Sequence, residues 1–120
     1  MRRMLIVEDE VDINDCLQQF FISKGFSVAA AYSGEEAVEK LYEETPEVVL
    51  LDIVLPGLSG IEVLKKIREI QPKTAVIMVT ALNQDEIREQ ASRFGAVGYV
   101  TKPFDFSDET WSTAFSCNPT

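Results

Sequence analysis

Val48, Val49, Leu50 and Leu51 form a continuous apolar run that stops on the carboxylate of Asp52. A run of this kind, with no polar residue at every second place, suits a strand buried on both faces. Such strands belong to parallel sheets covered by helices. Ile53, Val54 and Leu55 follow, and then Pro56 and Gly57, which cannot continue a central strand. Residues 4–7 and 75–79 repeat the continuous apolar pattern, and residues 26–31 and 97–100 supply two further strands.

Helical spacing fills the intervals. Val11, Cys16, Leu17, Phe20 and Phe21 recur as one apolar face, and Lys24-Gly25 ends that helix. Ser33 and Glu36 form a capping box ahead of Ala37, Val38, Leu41 and Tyr42. Ser59 and Glu62 repeat the box ahead of Ile61, Leu64 and Ile67. Asn83 and Glu86 read as a third capping pair, opening a helix through Phe94. Only Ile87, Ala91 and Phe94 are apolar enough to bury there, so this helix should be loosely held.

Five strands alternating with helices predict an α/β fold, a doubly wound parallel sheet joined by right-handed crossovers. A last helix should follow Lys102, but residues 105–120 are poorly amphipathic and contain no Lys or Arg. Ser107 could cap a short helix with Trp111 and Phe115 as an i, i+4 pair, though isolated helices of that length are marginal. The expected organisation is a core over residues 1–104. An atypical tail over residues 105–120 follows, in which the last helix is degenerate or missing.

A chain of 120 residues suits one domain. Its net charge of -9 argues against direct contact with nucleic acid, which needs a basic surface. Divalent cations and basic protein surfaces suit it better, and acidity that serves only solubility fits the charge equally well. Histidine is absent, and Cys16 and Cys117 have no metal-ligand spacing, so zinc and imidazole chemistry are not expected. The apolar stretch at residues 4–7 is too short for a signal peptide, and no membrane span follows, so a cytoplasmic protein is expected.

Polar residues converge at one edge of this architecture. Open parallel sheets bind ligands beyond the carboxyl ends of their strands. Those ends carry Glu8 and Asp9, then Asp52, then Thr80, then Lys102. Three carboxylates against one ammonium leave a local charge of about -2 if all are ionised. Protonation, a bound dication, or a Lys102–Asp52 salt bridge would each relieve the crowding, the last leaving Glu8 and Asp9 uncompensated. Hard oxygen ligands without His or Cys point to Mg²⁺. A carboxylate facing Mg²⁺, a lysine and a hydroxyl can act as a nucleophile toward phosphorus.

With these residues in place, the chain resembles the response-regulator receiver domain of two-component signalling. The resemblance spans residues 4–104. It rests on Leu5-Ile6-Val7-Glu8-Asp9-Glu10, on Val49-Leu50-Leu51-Asp52 with Leu55-Pro56-Gly57 and Ser59-Gly60, on Val79-Thr80-Ala81, and on Tyr99-Val100-Thr101-Lys102-Pro103-Phe104. It implies a flavodoxin-like fold with strand order 2-1-3-4-5. It further implies phosphorylation of Asp52 by the phosphohistidine of a sensor histidine kinase or histidine phosphotransfer protein. Mg²⁺ would be held by Glu8, Asp9, Asp52 and the Val54 carbonyl. Thr80 and Tyr99 would be the switch pair altering the surface of the fourth helix and fifth strand. By the same resemblance the Lys102–Pro103 peptide is expected to be cis, and a homodimer through the output face would need the last helix. Val54 and Leu82, two residues beyond Asp52 and Thr80, lack a polar atom to orient water, which predicts a long-lived phosphoryl group.

Two other classes compete. A haloacid-dehalogenase-type phosphatase also uses an aspartate and Mg²⁺, but it needs a second Asp where Val54 stands, and the chain is short for a cap domain. A receiver-like binding module that takes no phosphate is opposed by Asp52, Thr80 and Lys102. With no effector domain in the sequence, a stand-alone receiver or the N-terminal piece of a larger regulator is expected.

Overall fold

A computed structural model describes residues 2–116 of the chain. Cys117 therefore lies outside the described residues. Five strands alternate with five helices: β1 (Arg3–Val7), α1 (Val11–Ser23), β2 (Ser27–Ala31), α2 (Gly34–Glu44), β3 (Val48–Leu51), α3 (Gly60–Ile70), β4 (Ala75–Thr80), α4 (Asp85–Arg93), β5 (Gly98–Thr101) and α5 (Asp108–Ser116). The strands form one parallel sheet in the order β2-β1-β3-β4-β5. This is the flavodoxin-like arrangement that the resemblance implied.

Alternation along the strands divides the core in two. Leu5, Val7, Val49, Leu51, Val76 and Met78 face α2, α3 and α4, where they meet Leu41, Leu64 and Ile67. Met4, Ile6, Val48, Leu50, Ile77 and Val79 face α1 and α5, where they meet Leu17, Phe21 and Trp111. The continuous apolar runs are thus explained: each strand residue has a covered face to fill.

The last helix is present, which corrects the expectation of a degenerate or missing one. Three observations account for it. Ser107 accepts the Thr110 N–H at 3.2 Å, and Asp105 accepts the Ser107 N–H at 3.1 Å, so the first turn is capped. Trp111 is 3% exposed and meets the Phe21 and Phe104 rings edge-on at 5.2 and 5.4 Å. Gly98 lets the helix lie on β5, since a Cβ there would sit 2.7 Å from the Ala114 carbonyl oxygen. Large aromatic area replaces amphipathic periodicity as the source of burial.

Smaller departures also have local causes. Val11 and Cys16 are exposed rather than on the buried face of α1, because the inward row runs Asn14, Leu17, Phe21. Tyr42 of α2 is exposed as well. The Ser33 and Ser59 hydroxyls cap as expected, accepting the Glu36 and Glu62 N–H groups, but the Glu36 carboxylate returns one residue early, to the Tyr32 N–H. The Asn83–Glu86 pair does not: α4 is capped at Gln84 without a side-chain bond, since Asn83 Oδ1 is taken by Arg88 and Thr101.

Candidate functional site

Strand register brings the polar residues together. Val7 pairs with Leu51, so Glu8 and Asp52 leave β1 and β3 side by side. The Asp52 N–H then donates to the Val7 carbonyl at 3.1 Å, extending the ladder to the site itself. Thr80 pairs with Thr101, which places Lys102 next to the same edge. Behind Asp52, α3 begins in backbone contact: Gly60 donates to the Ile53 carbonyl at 2.8 Å, and a Cβ on Gly60 would lie 2.0 Å from the Asp52 carbonyl oxygen.

Glu8, Asp52 and Thr80 are buried, whereas Asp9 is exposed at the rim. One carboxylate oxygen from each of Glu8, Asp9 and Asp52 lies within 4.8 Å of the other two. Lys102 Nζ donates to Asp52 Oδ2 at 2.7 Å and makes a second, shorter bond to Glu8 Oε1. Its contact with Glu10 is looser, at 3.9 Å. A single ammonium therefore bridges two buried carboxylates, and the Glu8 charge is not left uncompensated as the residue types suggested. The other oxygens are occupied too: Asp52 Oδ1 accepts the Val54 N–H at 3.2 Å, and Glu8 Oε2 accepts the Glu10 N–H at 3.0 Å.

Burial acts on these groups in opposite senses. Desolvation pushes the Glu8 carboxyl up to about 6, against the opposing pull of Lys102 and the Glu10 N–H. For Lys102, burial disfavours the ammonium, but its bonds to Asp52 and Glu8 outweigh this and raise it.

The remaining candidates sit on the β4–β5 side. Thr80 Oγ1 accepts the Leu82 N–H at 3.4 Å. Half-buried Tyr99 donates its hydroxyl to the Leu82 carbonyl oxygen, and the Arg88 guanidinium lies 4.5 Å above its ring. Val54, in the loop after Asp52, is 60% exposed. The Lys102–Pro103 peptide is cis. Sequence reasoning gave no role to Glu10, which ends the opening acidic motif, or to Arg88, which lies in none, and it missed Asn14, whose spacing of three before Leu17 and seven before Phe21 was a readable signal.

A family model for the response regulator receiver domain matches residues 4–110. The chain belongs to the response regulator receiver domain family. Solved structures agree with this membership. A CheY-like receiver domain protein from Methanospirillum hungatei JF-1 is 30% identical with a TM-score of 0.89, the match covering 98% of this chain and 94% of that one. A CheX-CheY-BeF3-Mg+2 complex from Borrelia burgdorferi contains a chain 33% identical, with a TM-score of 0.88 and coverage of 95% and 89%. A two-component response regulator from Clostridium difficile is 26% identical, with a TM-score of 0.90 and coverage of 98% and 95%. In this receiver domain the acidic cluster of Glu8, Asp9 and Asp52 is suited to a divalent cation.

Proposed function

We propose that this receiver domain takes a phosphoryl group onto Asp52 from the phosphohistidine of a sensor histidine kinase or histidine phosphotransfer protein. The observation that carries the reading is the position of Asp52: a buried carboxylate within a three-carboxylate cluster, with Lys102 Nζ at 2.7 Å. An Asp52 oxygen forms the new P–O bond as the P–N bond to imidazole breaks, and the pair of electrons leaves with the imidazole nitrogen. No second carboxylate stands two residues on, where Val54 is, so the domain acts as a switch rather than as an enzyme on outside substrates.

Mg²⁺ fits the donor set. Three carboxylates, each with one oxygen within 4.8 Å of the others and with no His or Cys among them, make the hard-oxygen set that Mg²⁺ prefers. Glu8, Asp9, Asp52 and the Val54 carbonyl would hold it, and when bound it would supply charge neutralisation to the phosphoryl oxygens. Lys102 neutralises the same oxygens from the β5 side, moving from its pairing with Glu8. Thr80 donates its hydroxyl to the phosphoryl group, releasing the Leu82 N–H it now accepts. That movement frees the loop whose Leu82 carbonyl holds Tyr99, and the α4–β5 surface changes.

Intact-protein mass after incubation with a small-molecule phosphodonor and Mg²⁺ tests the reading. The expected result is a Mg²⁺-dependent gain of one phosphoryl group, absent from Asp52→Ala. No gain in folded wild-type protein would overturn it.

A further inference from the structure

Asn14 is 0% exposed within α1, and a buried amide must find partners. Its Nδ2 lies 3.0 Å from the Glu8 carbonyl oxygen, 3.2 Å from that of Ala31 and 3.5 Å from that of Ile6. Gln18 Nε2 donates to Asn14 Oδ1 at 2.8 Å, which orients the amide with its two hydrogens toward the strands. These carbonyls lie where β1 and β2 part. The ladder ends at Val7 and Ala31, and the Glu8 N–H closes it by donating to the Ala31 carbonyl at 3.1 Å. One amide therefore ties α1 to both strands at the turn that delivers Glu8 and Asp9.

We propose that Asn14 is a positioning residue for the acidic site, holding the β1–α1 backbone so that the Glu8 and Asp9 carboxylates face Asp52 and Lys102. The inference rests on the reading of this cluster as a Mg²⁺ site. Glu8 is gripped from two sides: its carbonyl by Asn14 and its carboxylate by the Glu10 N–H. Outer partners that orient a ligand in this way commonly set metal affinity by a factor of ten or more. A cross-link serving stability alone would leave the site's affinity untouched once the chain is folded.

The test compares Asn14→Ser and Gln18→Leu with Leu17→Ala, a core truncation on the same helix that touches no loop carbonyl. Two readouts apply under conditions where circular dichroism shows each variant folded: Mg²⁺ affinity by calorimetry, and hydrogen exchange of the Glu8 and Glu10 amides in metal-free protein relative to the Leu50 amide. Asn14→Ser should bind Mg²⁺ about tenfold more weakly and lose protection at both amides. Gln18→Leu, altering a half-buried residue and so sparing the fold, should shift both readouts in the same direction by less. Leu17→Ala should keep wild-type affinity. Wild-type affinity and protection in both polar variants would overturn the proposal, as would an equal loss of affinity in Leu17→Ala. Absence of Mg²⁺ binding by the wild type would sink the phosphoacceptor reading, while the amide exchange would still decide the role of Asn14.

Discussion

Lys102 shows how a single residue arbitrates the site. Its ammonium reaches Asp52 and Glu8, partners 50 and 94 residues away in sequence, and so lets two carboxylates stay buried together. The Glu8 carboxyl, raised from 4.5 to about 6 by burial, keeps its proton in the fold at pH values where the unfolded chain has released it. Between those values the folded state binds more protons, so this stabilisation is full below pH 4.5 and lost as pH rises through about 6. Urea denaturation of metal-free protein should accordingly show stability falling more steeply across this window in the wild type than in Glu8→Gln. Parallel curves would rule out the assignment. The proposed phosphorylation carries a prediction about two other residues: Val54 is 60% exposed and Leu82 half-buried, and neither side chain offers a polar atom to orient water. The acyl phosphate on Asp52 should therefore persist for minutes or longer when followed by mass spectrometry, and Val54→Asn should shorten it. Loss within seconds in Mg²⁺ buffer would contradict this.

Elements differ in how far their sequence foretold them. The three central strands were plain because continuous apolar runs bounded by breakers are a local signal. By contrast α5 was obscured: its burial comes from Trp111 and Phe115 meeting Phe20, Phe21, Phe26 and Phe104, rings contributed by other elements. Trp111→Ala should cost about 3 kcal/mol or more, in the range for a buried aromatic truncated to alanine. Chemical denaturation would measure the loss, and Mg²⁺ affinity of the folded variant should stay at the wild-type value, because Trp111 belongs to the α1–α5 core and not to the site. A small change in stability would mean that α5 contributes little to the fold. At the other extreme α4 buries only Ala91 outright, with Ile87 and Phe94 half-covered, as its sparse apolar face predicted.

At the scale of the molecule, the site is a property of the sheet edge, assembled from the ends of β1, β3, β4 and β5. Binding there should stabilise the whole domain: Mg²⁺ at a hundred times its dissociation constant should add about 2.7 kcal/mol to unfolding free energy. Thermal denaturation with Mg²⁺ and then with excess chelator would read this, and an unchanged midpoint would argue against a metal held by the folded state alone. The sequence by itself determined the alternation of strands and helices, the doubly wound class, and the residues standing at the strand ends. Period, breakers and caps are encoded within a few residues of where they act. Strand order was legible only through family resemblance. Tertiary structure alone decided that Lys102 serves two carboxylates, that Asn14 clamps the β1–α1 turn, and that α5 is held in place. Each of these depends on partners that meet only after parallel crossovers have brought distant strand ends into register.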